Sequence, residues 1–370
     1  MSEGYRVEID ALVMRSPDAP MVVERIGLRD VGPNDVRVRI DATGVCHSDL
    51  SLAHGVLAQP LPAVLGHEAC GTVLEIGSEV TGVTVGERVI PLWITPCGDC
   101  MHCVRGEAHL CVTGSARGAE PYALSAAGEP IYPGLSVGSF AEQTVVPAAA
   151  VVKVPDDITS AQAALLGCAV TTGVGAVTKT AAVTQGSSVL VVGLGGVGLA
   201  AVQGAKLAGA STIIATDRNP AKADLALKLG ADHFVAADDD TRKAVRGLTG
   251  GQGADYAFDC VGSPTTIRAA WGMARRGGSV CVVGIGGKDD KVVFSALELF
   301  HFARTLTGCV AGSLDAAHDM PRYFEHVRAG RLDLAAMVTG QGHLGDVERA
   351  LADMVVGQGI RTLITPSGAR

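Results

Sequence analysis

The chain has 370 residues, of which 48% are hydrophobic and 18% charged, so it is long enough for two packed domains and unlike a disordered protein. Its net charge of −8 disfavours nucleic acid and anionic membranes as partners, because both attract clustered Lys and Arg. No stretch resembles a secretory signal or the ~20 apolar residues of a membrane span, so we expect a cytoplasmic globular protein.

The pattern of predicted elements changes near Thr159. Before it, apolar residues alternate or run together at residues 36–43 and 71–76, which predicts short strands of an all-β or mixed unit. After it, short apolar runs alternate with helix-length segments, which is typical of βαβ units in a parallel sheet. We predict strands at residues 188–192, 211–216, 256–259 and 279–283, and helices at residues 196–207, 221–229, 265–274, 321–329 and 344–356.

Four cysteines occur within fifteen residues of the first part: Cys97, Cys100, Cys103 and Cys111. Four thiolates can close a tetrahedral shell around zinc, leaving no open position for chemistry. Two disulfides conflict with a cytoplasmic chain, and the spacing matches neither ferredoxin pattern of an iron–sulfur protein. We therefore predict a structural zinc ion in a lobe at residues 95–113.

A glycine-rich segment, Gly-Leu-Gly-Gly-Val-Gly, lies between a predicted strand and a predicted helix. Its first glycine permits a tight turn, its second lets the backbone approach a pyrophosphate, and its third lets helix and strand pack closely. The helix N-terminus adds positive potential. We predict that a dinucleotide binds here, at Gly193, Gly195, Gly196, Val197 and Gly198.

Asp217 ends the next predicted strand, about 20 residues further on, where an acid can bind the ribose 2′-hydroxyl. Its carboxylate would repel the 2′-phosphate of NADP, so we predict NAD as the cofactor. The neighbouring Arg218 leaves NADP open as an alternative, because an arginine at this place can accommodate a phosphate.

Three further residues of metal-ligand types are far apart in the chain. Cys46 lies in Gly-Val-Cys-His-Ser-Asp, His67 in Gly-His-Glu, and Cys168 in Leu-Leu-Gly-Cys. The spacing alone does not show that they meet, and free cysteines are often small buried hydrophobic residues. Metal ligands and core residues are therefore both open interpretations.

Taken together, these segments resemble the medium-chain zinc-dependent alcohol dehydrogenases. The similarity covers residues 36–365 and is carried by residues 44–49, 66–68, 167–173, 193–198 and 360–362 and by the four-cysteine lobe. The resemblance implies an α/β protein with a GroES-like mixed-β catalytic domain, at residues 1–168 and 313–370. A doubly wound Rossmann domain for NAD would occupy residues 169–312. It also implies a longer-chain member, which is typically a homodimer.

The resemblance implies a catalytic zinc ion held by Cys46, His67 and Cys168, in addition to the structural one. Three protein ligands leave a fourth position open, where zinc acts as a Lewis acid, and this ligand set is characteristic of the family. The implied function is the reversible oxidation of a primary alcohol, aromatic and allylic alcohols included, to its aldehyde with hydride transfer to NAD.

Supporting catalytic roles follow from the same resemblance. Ser48 matches the hydroxyl that hydrogen-bonds the substrate oxygen and begins a proton relay, and Asp49 matches the acid that orients the ligand imidazole. Glu68, next in sequence to the histidine ligand, matches a second supporting acid of the catalytic site, one that can approach the metal. Ser51 departs from many relatives, which carry a histidine there, so His54, His47 or water is left as the proton exit.

Cofactor and substrate contacts are implied as well. His47 and Arg361 match positions that contact the pyrophosphate, and Lys222 matches one beside the adenosine ribose. The residues that match the substrate pocket, besides Ser48, are Leu57, Trp93, Leu110 and Ile285. Trp93 would narrow the pocket and favour a slender or flat primary alcohol. Leu57 replaces an acid of the thiol-adduct formaldehyde dehydrogenases, which disfavours a glutathione-linked substrate.

Other functions stay open alongside a small-molecule alcohol or aldehyde dehydrogenase. One is a thiol-cofactor-dependent formaldehyde dehydrogenase or an aryl-alcohol enzyme of the same superfamily. Another is a non-catalytic relative that keeps the fold and the cofactor site. This non-catalytic relative and a zinc-free reductase are both disfavoured, because all seven predicted zinc ligands are present.

Overall fold

The computed structural model describes residues 5–367, which divide into two compact units. The first unit contains the chain up to Cys168, Asp315–Gly330 and the chain from Met337 onward, and the second contains Ala169–Leu314 and Arg331–Ala336. Within residues 5–367 no helix combines the length and the apolar character that a membrane crossing requires.

The strands are numbered in chain order. They are β1 Tyr5–Met14, β2 Val22–Arg29, β3 Asp35–Gly44, β4 Ala63–Val64, β5 Glu68–Ile76, β6 Arg88–Pro91, β7 Ala123–Ser125, β8 Pro130–Pro133, β9 Gln143–Pro147, β10 Val151–Lys153, β11 Ser188–Val192, β12 Thr212–Asp217, β13 His233–Ala236, β14 Ala254–Asp259, β15 Ala274–Val282, β16 Thr305–Gly308, β17 Val338–Gly342 and β18 Arg361–Ile364.

The α-helices are numbered in the same way. They are α1 His47–Ala53, α2 Met101–Val104, α3 Val112–Ser115, α4 Ser160–Leu165, α5 Ala169–Gly175, α6 Gly196–Leu207, α7 Ala223–Leu229, α8 Thr241–Leu248, α9 Pro264–Met273, α10 Ala296–Phe302, α11 Ala316–Arg328 and α12 Val347–Val355.

The first unit is built on two sheets. Strands β1, β2, β7, β8 and β4 close into a barrel, and a second sheet has the order β10-β6-β5-β3-β18-β17, with β9 also paired to β3. Strand β3 shows why the sequence forms this sheet. Val36, Val38 and Ile40 are fully buried, while the intervening Arg37 and Arg39 reach the carboxylates of neighbouring side chains. This alternation is the period of a strand with one face in the core.

The second unit contains the predicted doubly wound parallel sheet. Its order is β13-β12-β11-β14-β15-β16, and all five pairings are parallel. The order reverses beside β11, which is the place where open α/β sheets bind their ligands. All residues of β11 after Ser188 are buried, as expected of a central strand covered on both faces.

Two sequence predictions need correction, and some strands were missed. Residues 331–336 belong to the second unit, because the Asp333 backbone N–H donates to Gln203 Oε1 at 2.7 Å and its carboxylate lies 3.5 Å from Lys228 Nζ. Helix α11 begins at Ala316, ahead of the predicted start at Pro321, so this proline lies inside the helix. Strands β1 and β2 were not predicted.

Candidate metal centres and dinucleotide site

Two neighbouring strands bring Cys46 and His67 together. In the antiparallel pair β3–β5, Gly44 lies opposite Glu68, so the residues just after β3 meet those just before β5. Cys168 joins them from the junction between α4 and α5. The two sulfur atoms and one ring nitrogen of this trio all lie within 4.8 Å of one another.

Asp49 fixes the orientation of the trio. It is fully buried, and its carboxylate accepts hydrogen bonds from the backbone N–H groups of Cys46 at 2.9 Å and Gly66 at 3.0 Å. Its Oδ1 also lies 3.1 Å from His67 Nδ1. With the Nδ1 proton held by a carboxylate, the lone pair of the imidazole is left on Nε2.

The donor set fits a zinc ion. His67 Nε2 is buried and has no hydrogen-bond partner among the described residues, although a buried polar atom normally has one. The two cysteines beside it are also buried and form no disulfide. Two thiolates and one neutral imidazole are three ligands of the kind that catalytic zinc sites use.

The pKa values of the three residues depend on one another. A hydrogen bond from Cys168 holds the pKa of Cys46 well below its usual value, although burial opposes this. The same hydrogen bond, with burial, raises the pKa of Cys168. Burial lowers the pKa of His67, but the Asp49 charge and hydrogen bond outweigh it, so this pKa lies well above the usual value. Without a cation the site therefore favours a Cys46 thiolate, a Cys168 thiol and a protonated His67, and metal binding would release the protons of Cys168 and His67.

Glu68 and Arg361 form a buried ion pair next to the trio. Arg361 Nε donates to Glu68 Oε1 at 3.0 Å, and Arg361 Nη2 lies 3.6 Å from Cys46 Sγ. Burial raises the pKa of Glu68 to about 7, against the opposing effect of the guanidinium. Sequence analysis did not predict this contact, because the two charged residues are 293 positions apart. The predicted role of Arg361 at the cofactor pyrophosphate stays a prediction.

The predicted proton-relay residues lie on and after the short helix α1. Ser48 is half-buried, with its Oγ 3.9 Å from Cys46 Sγ, whereas His47 is exposed. Ser51, which replaces the family histidine, is buried. His54 is half exposed, and its Nδ1 pairs with Asp18 at 2.5 Å. Ser48 is thus beside the trio, and His54 has contact with solvent.

The four predicted lobe cysteines also come together. The Sγ atoms of Cys97, Cys100, Cys103 and Cys111 lie within 4.8 Å of one another. Separations of 3.9 Å between Cys97 and Cys103 and between Cys100 and Cys111 are too long for S–S bonds. A backbone N–H, that of Cys103, is the main reason why the pKa of Cys100 falls to about 6. The arrangement is a closed four-sulfur shell of the structural zinc type.

The glycine-rich turn follows β11 and opens α6, as predicted. Gly193 has a φ of +88°, and a Cβ on Gly198 would meet the Gly193 carbonyl oxygen at 1.8 Å, so both positions require glycine. A Cβ on Gly195, in contrast, would meet no atom within 4 Å. Gly196 is buried and Val197 half-buried in the first turn of the helix. The open space at Gly195 fits the approach of a pyrophosphate.

Asp217 lies at the end of β12, beside this turn. Its Oδ2 accepts the Leu194 backbone N–H at 2.7 Å and lies 3.2 Å from Lys222 Nζ, while Oδ1 accepts the Asn219 N–H at 2.8 Å. Arg218 is exposed. The carboxylate is therefore held next to the turn by backbone donors, with Lys222 as its counter-charge.

The four predicted pocket residues do not form one group within a single unit. Leu57, Trp93 and Leu110 are half-buried residues of the first unit, and Leu57 packs against its barrel core. Ile285 belongs to the second unit and is exposed. Their predicted role in a substrate pocket stays a prediction.

Two family models match the chain. Residues 32–156 match the alcohol dehydrogenase GroES-like domain, and residues 196–329 match the zinc-binding dehydrogenase model. The first match lies in the first unit, and the second lies mainly in the second unit. Together they confirm the predicted fold class.

Individual relatives cover nearly the whole chain. S-(hydroxymethyl)glutathione dehydrogenase of Photobacterium damsela subsp. piscicida is 36% identical, over 96% of this chain and 98% of its own. The alcohol dehydrogenase zinc-binding domain protein of Burkholderia ambifaria superposes with a TM-score of 0.92 at 32% identity, covering 98% of this chain and 100% of its own. Benzyl alcohol dehydrogenase of Acinetobacter calcoaceticus gives a TM-score of 0.90 at 28% identity, with the same coverage.

The fold of the chain agrees with that of these two solved structures. The zinc-dependent members of the family use NAD and zinc, the cofactors predicted from the sequence. The chain therefore belongs to the medium-chain zinc-dependent alcohol dehydrogenase family and is an NAD-dependent oxidoreductase.

Proposed function

We propose that the chain oxidises a primary hydroxyl group to a carbonyl group, with transfer of a hydride to NAD, at a zinc ion held by Cys46, His67 and Cys168. The observation that carries this proposal is the meeting of these three residues with an unpartnered, buried Nε2 between two thiols. Zinc with three protein ligands supplies Lewis acidity, which lowers the pKa of a hydroxyl group that it polarises.

The residues around the trio support this chemistry. Asp49 holds the Nδ1 proton of His67 and so keeps the ring in the tautomer that binds a metal. Ser48 Oγ, 3.9 Å from Cys46 Sγ, is placed to accept the proton of a substrate hydroxyl. Among the described residues, Ser48 has a hydrogen bond with Cys46 and His54 one with Asp18, and none joins Ser48 to His54. We therefore propose that the proton leaves through water.

We propose S-(hydroxymethyl)glutathione as the first candidate substrate. A curated relative that is 36% identical carries this activity in its name, which favours the thiol-adduct alternative over a simple alcohol. The adduct also ends in a CH2OH group, so the reacting group is still a primary hydroxyl. The name of this relative outweighs the sequence argument from Leu57, which concerns a single position.

An aromatic primary alcohol is the second candidate. Its support is the superposition on benzyl alcohol dehydrogenase with a TM-score of 0.90. The absence of an acid at Leu57 also favours it over the thiol adduct. The same zinc chemistry applies to both candidates, so the difference between them lies in binding.

Initial rates of NADH formation test both candidates. The panel contains formaldehyde with and without glutathione, benzyl alcohol, ethanol and 2-propanol, at matched concentrations. The first candidate requires NADH from formaldehyde only when glutathione is present. Benzyl alcohol turnover with no glutathione effect would select the second. A protein that contains two zinc ions per chain and oxidises none of these would refute the proposed function.

We propose a homodimer formed through the β16 edge of the parallel sheet. Strand β16 is the last strand of its sheet, and its sequence Thr-Leu-Thr-Gly has no charge or proline to block further pairing. Val293, Leu297 and Phe300 nearby are 73–84% exposed. A second copy related by a two-fold axis would cover these residues and pair the two edges. Light scattering of the wild type and of Phe300→Asp tests this: a monomeric wild type contradicts it.

We also propose that the protein works in the reducing cytoplasm. All ten cysteines are free, and seven of them form the two predicted zinc sites, which need thiolates. Titration of the denatured, metal-free protein with a thiol reagent should detect ten thiols in material purified without reductant. Fewer thiols, restored by reductant, would argue for an oxidising compartment.

A further inference from the structure

Arg361 lies against the catalytic trio, with hardly any contact with solvent. It begins β18, which pairs with the end of β3 and so lies beside Cys46. Its side chain is 4% exposed. Its Nη1 donates to the Ile360 carbonyl oxygen at 3.2 Å, its Nε to Glu68, and its Nη2 points to the Cys46 sulfur. Each of the three guanidinium nitrogens therefore has a partner within the first unit.

We propose that Arg361 is a positioning residue of the catalytic metal centre, which hydrogen-bonds the Cys46 thiolate and limits the charge that this sulfur donates to zinc. This inference rests on the metal site of the proposed function. A hydrogen bond from an ionised donor draws electron density from a ligand sulfur, and partners of this kind tune the metal that the ligand holds. A less basic sulfur leaves zinc a stronger Lewis acid.

Glu68 explains how the positively charged Arg361 can be buried beside a site for a zinc ion. Zinc and two thiolates sum to zero, and the Arg361–Glu68 pair adds no net charge. The pair acts as an oriented dipole, with its positive end at Cys46 Sγ, 3.6 Å away, and its negative end at Glu68 Oε1. A lone guanidinium in this place would repel the metal, because charges interact strongly in a buried site.

The competing role, binding of the cofactor pyrophosphate, makes different predictions. A pyrophosphate contact would appear in the affinity for NAD and would leave the metal–sulfur bond unchanged. A hydrogen bond to the Cys46 thiolate would appear in the metal–sulfur bond itself. The two roles are therefore separable by spectroscopy on the metal, independently of turnover.

The test uses the full-length protein with cobalt(II) in place of the catalytic zinc. The double variant Arg361→Gln/Glu68→Gln removes the donor without leaving a buried lone carboxylate, and Glu68→Gln alone keeps the donor. Arg361→Lys, which keeps the charge but loses the planar fork, is the second variant if the double one does not fold. Arg88→Lys is the matched control, since Arg88 donates only to the backbone carbonyls of residues 155, 156 and 158 in the hydrogen bonds described.

We expect the sulfur-to-cobalt charge-transfer band to move to longer wavelength in the double variant, because a thiolate without its donor is easier to oxidise. No such shift is expected in Glu68→Gln, which keeps the donor to Cys46, or in Arg88→Lys.

An unshifted band with a large loss of NAD affinity would overturn the inference and favour the pyrophosphate contact. An unshifted band with unchanged NAD affinity would also overturn it. Failure of the proposed function is distinguishable, because the wild type itself would then show no sulfur-to-cobalt band from the trio.

Discussion

The trio and the four-cysteine lobe are both clusters of metal-ligand side chains, but they differ in how the chain assembles and supports them. The trio is assembled from residues 46, 67 and 168, its members are buried, and side chains support them from behind: Asp49 behind His67 and Arg361 beside Cys46. The lobe is assembled from fifteen consecutive residues, three of its cysteines are only half-buried, and backbone N–H groups support the sulfurs.

The two sites also differ in coordination: one has an open position, and the other has a complete shell of ligands. Four local thiolates fill the tetrahedral shell, so the lobe can bind an ion while the rest of the chain contributes little. Three ligands leave a position open, but they meet only when β3 has paired with β5 and α4 has packed against both strands. We therefore expect changes in the trio to affect turnover, and changes in the lobe to affect stability.

The sharpest test of this comparison is His67→Ala. Removal of this ligand should lower kcat/KM by several kcal/mol of transition-state stabilisation, about a thousandfold or more. Metal analysis should fall from two zinc ions per chain to one, while NAD still binds. Turnover at the wild-type rate would contradict the assignment of the trio.

Asp49→Asn tests the support behind the trio. The amide cannot accept the same three hydrogen bonds with a full negative charge, so His67 loses its fixed tautomer. We expect a loss of about 10–100-fold in catalytic metal affinity or in kcat. Competition with a chelator and steady-state rates measure these two effects. The lobe zinc should be retained, and loss of both ions together would show that the two sites are not independent.

Asp217→Gly tests the predicted dinucleotide site, which lies outside both metal clusters. The variant should lower the preference for NAD over NADP by about tenfold, the value of one charge-assisted hydrogen bond. Both zinc ions should remain, because Asp217 is in the second unit. Ratios of kcat/KM for the two cofactors measure the effect, and an unchanged ratio would count against the ribose contact.

The smallest effect on turnover is expected from the lobe. Cys103→Ser should remove one zinc ion and lower the thermal midpoint by about 5 °C, for a local loss of roughly 2 kcal/mol. The kcat of the folded fraction should stay within about twofold of the wild type. Cys70→Ala is the control, since Cys70 is buried and belongs to neither cluster. A large fall in kcat for Cys103→Ser alone would make the lobe part of the catalytic apparatus.

Local sequence patterns predicted the second unit well. The predicted boundaries of β11 and α6 agree with the structure, because an apolar run, a glycine turn and a helical period follow one another within twenty residues. The start of α11 was wrong for a local reason: a proline is favoured in the first turn, but here the Asp315 backbone N–H bonds to Asp319 Oδ2 and the helix begins earlier.

Long-range contacts could not be predicted from local patterns. The lobe cysteines are close in sequence, so their spacing alone indicated a metal site. Nothing local indicated that Cys168 meets Cys46, and that part of the hypothesis came from the resemblance to a family. The contact of Arg361 with Glu68 and Cys46 depends on the pairing of β18 with β3, which joins the two ends of the chain.

The open space beside Gly195 has a practical consequence. Its two companions, Gly193 and Gly198, are required by the protein's own backbone, so a methyl group on either would damage the fold. A methyl group at Gly195 would touch nothing in the protein. Alanine at this one position should therefore obstruct the pyrophosphate without a clash inside the protein. We expect Gly195→Ala to fold and to bind both zinc ions, but not to bind NAD.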